Sequence, residues 1–315
     1  MWTRRESHSR PPVCETGALL LSYGPKRKVL YTFSHLNPPM TELIFLGTGG
    51  GRFAMITQRR ATGGFRLNLD KFKIHVDPGP GAIVRSIQNK QNPQNLNCII
   101  VTHAHPDHAT DTAPLIEAMC RGMLKERGYL IVSKSVIAGA KEIGPVLGKY
   151  HYERPKKFLT PKAGDRIELE ENGSKISVEI IEAQHSDPTS FGVKFYFDKK
   201  VVGYTGDTAY FEKLKMLYKN CDILILDNTR PGNQRIPYHL CTEDTIKILK
   251  VAKPKLAILT HLGMKMITGS PISEAQSIER ETGVVTLAAE DGMKVNIEES
   301  LTQIQQASLK SFEKK

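Results

Sequence analysis

Two β-sheets covered by outer helices, in one α/β domain, are what this 315-residue sequence predicts. Short apolar and β-branched runs recur from Met40 to Ile297. Some are joined as hairpins by polar turns, and others alternate with helical stretches. The composition, 40% apolar and 24% charged, is that of a globular chain. It excludes disorder, collagen-like repeats or a coiled coil for the bulk of the sequence.

Residues 1–39 hold Pro11-Pro12, Gly24-Pro25 and Pro38-Pro39, with no sustained period of 2 or 3.6. They are expected to form a loosely held extension. The domain proper is expected over 40–300, followed by a tail at 301–315. Thr41 to Leu46 reads as a strand that stops at Gly47, Gly49, Gly50 and Gly51. Phe72 to Val76 alternates and ends at Asp77-Pro78-Gly79. Cys98 to Thr102 suits a buried strand. Ala113 to Leu124 reads as a helix with Pro114 in its first turn. Ile167–Leu169 and Lys175–Ile181 flank Asn172-Gly173, the strongest short turn signal in the chain. Phe191–Phe197 and Val201–Tyr204 make a second hairpin around Asp198-Lys199-Lys200. Phe211–Lys219 reads as helix and Asp222–Leu226 as a buried strand. Thr242 is expected to cap a helix running to about Ala252, helped by Glu243 and Asp244. Leu256–Thr260 reads as a strand. Val284–Ala288 and Met293–Ile297 are expected to close a last hairpin around Asp291-Gly292.

No apolar run approaches the roughly 20 residues of a membrane span, and Ala18–Leu21 is too short for a signal-peptide core. The five cysteines (Cys14, Cys98, Cys120, Cys221, Cys241) form no Cys-x-x-Cys pair. A disulfide scaffold or thiolate zinc site is therefore not expected, and a reduced cytoplasmic setting is. The 44 basic residues against 33 acidic ones give +11, of which +4 falls in residues 1–39. That balance suits an anionic partner, although no basic stripe interleaved with aromatics signals base stacking.

The chemistry concentrates in Thr102-His103-Ala104-His105-Pro106-Asp107-His108, between a buried strand and a helix. Alternate residues of an extended chain face the same way, so His103 and His105 can share one ion. Pro106 turns the chain, and Asp107 with His108 then faces a second ion. Imidazole and carboxylate ligands suit zinc, or another divalent metal such as manganese. Three of the chain's ten histidines lie within these seven residues, too many for a chance polar loop. Gly47-Thr48-Gly49-Gly50-Gly51 lacks the Lys-Ser/Thr of a P-loop, so it reads as a tight turn beside the metals, with amides close to a substrate phosphate. Arg59, Arg60 and Arg66 fall in the following loop and read chiefly as surface charge. Cys98 reads as core, and His75 as structural.

The His-x-His-x-Asp-His pattern at a strand's end resembles the metallo-β-lactamase superfamily. Asp77, His185 (in Ala183-Gln184-His185-Ser186), Asp207 (in Gly206-Asp207-Thr208) and His261 (in Leu259-Thr260-His261) match the family's remaining motifs in order. The likeness spans about residues 41–297. It implies a four-layer αβ/βα sandwich of two mixed sheets flanked by helices. It also implies two divalent ions, one held by His103, His105 and His185 and the other by Asp107, His108 and His261. Asp207 bridges them, and Asp77 orients a ligand. Such a pair shares a hydroxide and clamps an anionic substrate.

His239, in Pro237-Tyr238-His239-Leu240-Cys241-Thr242, resembles the histidine that assists the leaving group in the tRNase Z-like branch of phosphodiesterases. Only about 22 residues separate His185 from Asp207, where tRNase Z carries a long arm that grips tRNA. The compact form is more similar to the small cyclic phosphodiesterases of that branch. The resemblance thus implies a phosphodiesterase with Asp107 and His239 as catalytic residues, acting on an anionic small-molecule phosphodiester. RNA cleavage of the tRNase Z type, lactone or thioester hydrolysis, and a catalytically idle metal-binding protein are the alternatives. Nucleic acid and a homodimer stay open as partners, and no membrane is expected.

Overall fold

The computed structural model describes residues 41–312, except 70 and 172, together with two strands nearer the N-terminus. Those strands, Leu20–Ser22 (β1) and Lys28–Leu30 (β2), pair antiparallel as a unit of their own. The rest of the extension expected at 1–39 lies outside the described residues.

From Thr41 the chain builds two mixed sheets. The first contains Glu42–Phe45 (β3), Phe65–Leu69 (β4), Phe72–Val76 (β5), Cys98–Val101 (β6), Tyr129–Val132 (β7) and Lys157–Leu159 (β8). The second contains Arg166–Glu171 (β9), Ser174–Glu182 (β10), Phe191–Phe197 (β11), Lys200–Tyr204 (β12), Ile223–Arg230 (β13), Leu240–Cys241 (β14), Leu256–Thr260 (β15) and Val285–Ala288 (β16). Lys294–Asn296 (β17) returns to the first sheet. The strand orders are β17-β3-β4-β5-β6-β7-β8 and β16-β15-β13-β12-β11-β10-β9, with β14 beside β13. Parallel pairing runs through β5-β6-β7-β8 and β12-β13-β15-β16 and joins β14 to β13, and the other neighbours are antiparallel.

Sequence explains most of this pattern. β6, β7 and β15 are apolar at nearly every position and buried on both faces, as parallel strands under helices must be. β9 instead alternates exposed and buried residues, the mark of a strand wetted on one side. Asp198 and Lys199 have φ of 43° and 61°, so β11 and β12 close on a two-residue turn of the twist-matched kind. Lys200 therefore opens β12 rather than completing the turn.

Helices cover the outer faces. They are Gly51–Thr57 (α1), Ala82–Gln88 (α2), Pro106–Ala109 (α3), Thr112–Met119 (α4), Lys134–Ala138 (α5), Lys149–Tyr152 (α6), Leu214–Leu217 (α7), Thr242–Ala252 (α8), Met264–Thr268 (α9), Pro271–Thr282 (α10) and Ile297–Phe312 (α11). Leu115, Ile116 and Met119 of α4 pack on Ile99, Val101, Leu130 and Val132. Ile248 and Leu249 of α8, with Ala275 and Ile278 of α10, pack on Leu224, Leu226, Ala257 and Leu259. Between the sheets, the Phe65 ring meets Tyr204 edge-on at 5.0 Å.

Several expectations need correction. The segments at 284–288 and 293–297 form no hairpin, because β16 lies in the second sheet and β17 in the first. The Asp291-Gly292 turn carries the chain across. The Asp291 carboxylate accepts the amides of Thr48 and Ala61 at 2.9 and 2.7 Å, which ties the crossing to the glycine loop. The helix expected to Leu124 stops at Met119, where Arg127 Nη1 donates to the Met119 carbonyl at 3.0 Å. Only Leu214–Leu217 of 211–219 is α-helical, since the chain bends to bury Tyr218 with its hydroxyl on the Tyr204 carbonyl. Thr242 is the first residue of α8 rather than its cap, a position taken by Cys241. Residues 301–312 are helical rather than a tail, anchored by buried Ile297 and Leu301. Arg66 is not in a loop: it lies in β4, fully buried, with Nη2 on Ser86 Oγ at 3.0 Å. Among the described residues no helix is long and apolar enough to cross a membrane.

Candidate metal centre

The chemically notable residues follow strand ends, directly or in the short helix after β6. Asp77 follows β5, His103 and His105 follow β6, and Asp107 and His108 lie in α3. His185 follows β10, Asp207 follows β12 and His261 follows β15. Both sheets point these ends at one place. Facing nitrogen and oxygen atoms of His103, His105, His185 and Asp207 lie within 4.8 Å of one another, as do those of Asp107, His108 and His261. Asp207 touches both groups. Its Oδ2 is 3.7 Å from His103 Nε2, 3.7 Å from His185 Nε2 and 3.5 Å from His108 Nε2, while Oδ1 is 3.2 Å from His261 Nε2.

The outward ring nitrogens are tied to protein, which aims the others inward. The Thr102 hydroxyl donates to Asp77 Oδ2 at 2.8 Å, so it can only accept from His103 Nδ1, 3.1 Å away. His108 Nδ1 donates to Asp77 Oδ2 at 3.0 Å. His185 Nδ1 donates to the Tyr238 carbonyl at 3.1 Å, and His261 Nδ1 faces Thr229 Oγ1 at 3.0 Å. Asp77 also accepts from Tyr204 at 2.9 Å and so organises three elements at once. Asp77, His261 and Tyr238 have φ of 51°, 52° and 66°. Such left-handed backbone is costly for side chains of this size and tends to collect at functional sites.

The glycine loop serves the cluster through its backbone. Leu262 N donates to the Thr48 carbonyl at 2.7 Å, and Gly50 N to the Leu262 carbonyl at 3.0 Å. Gly51 N, at the start of α1, donates to Asp107 Oδ2 at 2.7 Å. That amide holds a carboxylate of the cluster, which replaces the expectation that it meets a substrate phosphate. A Cβ on Gly50 would lie 2.2 Å from His261 Cγ, so only glycine lets the ring stand there. Gly50→Ala should displace His261 and weaken divalent-ion binding by roughly 10–100-fold, the effect typical of disturbing a ligand's support. Unaltered affinity in a metal titration would show that the ring has room to move.

Burial, and then the neighbouring imidazoles, push His103, His105 and His185 below the ordinary histidine range. Neutral imidazole is the form that binds metal. Burial also disfavours charge on His108 and His261, but nearby carboxylates outweigh it. His108 is held well above its usual range by Asp207, Asp107 and Asp77, and His261 is pushed up to about 9 by Asp207 and Asp107. Against burial, the same histidines hold Asp107 and Asp207 ionised.

The donors fit divalent cations. They are imidazoles and carboxylates with no thiolate, and His108 Nε2 and Asp207 Oδ1 are buried without a hydrogen-bond partner, the kind of orphan a metal satisfies. The remaining singled-out residues have other duties. Arg60 bonds Thr48 Oγ1 and the Ala289 carbonyl, and Arg59 is exposed. His75 is buried with Nε2 on the Gly63 carbonyl, and Cys98 is core.

His239 stands at the rim, 18% exposed, with Nδ1 3.6 Å from Asp207 Oδ2 and 3.5 Å from Thr229 Oγ1. Its ring stacks on that of His261 at 5.5 Å. Burial, then His261 and His185, pushes it down to about 4 against the pull of Asp207. Together with Asp207 and His261 it forms a further group able to hold an ion.

Sequence reasoning missed Asp227, Thr229 and Asp187. Asp227 is buried in β13 with Oδ2 3.2 Å from Tyr204 Oη, whose own proton goes to the nearer Asp77. Burial, and then the Asp207 carboxylate, pushes its pKa well above the carboxylate range, so it stands as a neutral acid. One acid inside an apolar strand carries no spacing signal that would have marked it.

Two mixed sheets with helices outside and a His/Asp cluster at their strand ends define a metal-binding hydrolase architecture. The chain belongs to the metallo-β-lactamase superfamily: the model of the beta-lactamase superfamily domain matches residues 73–262. It is 39% identical to the uncharacterized protein MJ1374 of Methanocaldococcus jannaschii, covering 81% of this chain and 95% of that protein. It is 27% identical to ribonuclease Z of Thermococcus gammatolerans, covering 78% and 91%. The crystal structure of YhfI, a metallo-beta-lactamase fold protein of Bacillus subtilis, superposes with a TM-score of 0.67 at 19% identity, covering 81% and 99%.

Proposed function

We propose that this chain is a dinuclear metal-dependent phosphodiesterase acting on a small or cyclic phosphodiester. One ion is held by His103, His105 and His185 and the other by Asp107, His108 and His261, with Asp207 shared. When bound, zinc or manganese there supplies Lewis-acid charge to the phosphoryl oxygens and lowers the pKa of water. The protein's own part is to keep His103, His105 and His185 neutral and Asp107 and Asp207 ionised, while His108 and His261 would give up a proton as a cation enters, and to keep the centre largely dry. Asp107, anchored by the Gly51 amide, keeps its carboxylate facing that same centre.

The observation that carries the reading is His239 beside the cluster. Its Nδ1 faces Asp207 and Thr229, which leaves Nε2 toward a leaving oxygen, where the negative charge of a bound phosphodiester would raise its low pKa and let the ring carry the proton it donates. A lactone or thioester hydrolase has no need of that group, and an idle metal binder has no need of any.

A second reading, RNA cleavage, draws support from the ribonuclease Z relatives. Against it stands the short connection between His185 and Asp207, filled by the β11–β12 hairpin alone. About 246 residues of this chain enter the 304-position alignment with the Thermococcus enzyme, so about 58 positions there have no counterpart here. Zinc- or manganese-loaded protein should therefore hydrolyse bis(p-nitrophenyl) phosphate and 2′,3′-cyclic nucleotides far faster than it trims precursor tRNA. The comparison belongs at physiological salt, because a charge of +11 favours nonspecific RNA binding at low ionic strength. Efficient, site-specific 3′ trimming would favour the second reading, and turnover of lactones or thioesters alone would overturn both.

A further inference from the structure

We propose that Asp187 is a positioning residue for one ion of the centre, fixing the backbone between His103 and His105 and setting that strand end against the His185 loop. The proposal rests on the reading of those three histidines as ligands of a common ion.

Asp187 lies two residues past His185 and is fully buried. Its Oδ2 accepts the Ala104 amide at 3.0 Å and the Ser135 hydroxyl. Its Oδ1 accepts the Thr189 amide at 2.9 Å and the Thr189 hydroxyl at 3.0 Å. The same hydroxyl accepts the Ser135 amide at 3.0 Å, and Ser135 Oγ lies 2.8 Å from Ser133 Oγ. One carboxylate thus joins the ends of β6 and β7 in the first sheet to the loop after β10 in the second. Among the described residues no cation pairs with it, so four neutral donors compensate its charge.

Ala104 is the one residue flanked on both sides by these histidines. In extended chain, His103 and His105 share a face only while the peptide between them keeps its orientation. The Ala104 N–H is therefore the most direct handle on both rings. Because Asp187 is carried by the His185 loop, the same bond sets the distance from that third ring. His105 Nδ1 lies 3.1 Å from His103 Nε2 and 3.0 Å from His185 Nε2, spacings that a loosened loop would not hold.

Cobalt(II) uptake by the full chain tests this, by chelator competition and by the visible absorption of the bound ion. Asp187→Asn should weaken one of two ions by about 10–100-fold and alter its spectrum while sparing the other. The weakened ion should be the one that His185→Ala loses, not the one that His261→Ala loses. Asp222→Asn is the control for a merely structural carboxylate, since Asp222 accepts the Val201 amide at 2.9 Å far from the cluster. It should lower the melting temperature without changing affinity. Wild-type affinity and spectrum in Asp187→Asn, whatever its melting temperature, would overturn the proposal. Should that variant fail to fold, Thr189→Ala, which removes one of the four donors, should show a smaller loss of the same ion. No loss there would overturn the proposal equally. Uptake of fewer than two ions by the wild type would instead overturn the ligand reading beneath it.

Discussion

Asp207→Ala is expected to empty both ion positions and to reduce phosphodiester hydrolysis by more than the ~100-fold typical of losing a supporting residue. Among the described residues Asp207 is the one side chain whose oxygens face both histidine groups, with His103, His108, His185 and His261 all within 3.7 Å. Its Oδ1 is buried without a hydrogen bond, with His261 Nε2 3.2 Å away as the contact a cation would replace. Removing it also takes away the negative charge that helps hold His108 and His261 protonated before cations arrive. The variant should still fold, because Asp207 adds no apolar packing and the sheets close on Phe65, Tyr204 and their neighbours. Metal analysis with circular dichroism checks both halves. Full loading and normal turnover would contradict the bridging role.

His239→Ala should leave the ions in place and lower kcat by about 10²–10⁴-fold on a phosphodiester with an alkoxide leaving group. The two proposed ligand sets do not include it, so its loss is expected to remove proton donation or charge stabilisation and no ligand. A nitrophenolate departs without much help, and its hydrolysis should fall less. Equal losses on both substrates would assign His239 to positioning or to charge on the phosphoryl oxygens. Loss of an ion would make it a ligand, in keeping with its place beside Asp207 and His261. No loss at all would remove the ground for preferring a phosphodiesterase.

The strands were legible wherever one signal dominated. β6 and β15 announce themselves as apolar runs, and the β11–β12 turn as Asp-Lys, while Asn172 of the Asn-Gly signal lies outside the described residues. The first residues of the cluster were legible for a like reason, since His103, His105, Asp107 and His108 crowd one short segment. What escaped was non-local. β4 has a plain alternation of Phe65, Leu67 and Leu69, but Arg66 between them reads as a loop charge until the helix above is seen to bury it beside Ser86. The Asp291-Gly292 pair is a true turn signal, yet sequence does not say which sheet receives the next strand. The carboxylate's bonds to Thr48 and Ala61 decide that, from about 230 to 243 residues away. Asp187 and Asp227 are single acids in unremarkable contexts, and their importance lies wholly in what the fold brings against them.

Anomalous diffraction at the zinc edge from crystals of the zinc-loaded protein tests the central claim most directly. Two peaks per chain are expected, one against His103, His105 and His185 and one against Asp107, His108 and His261, with Asp207 reaching both. A single peak, or zinc held elsewhere in the chain, would contradict a two-ion centre and the phosphodiesterase built on it.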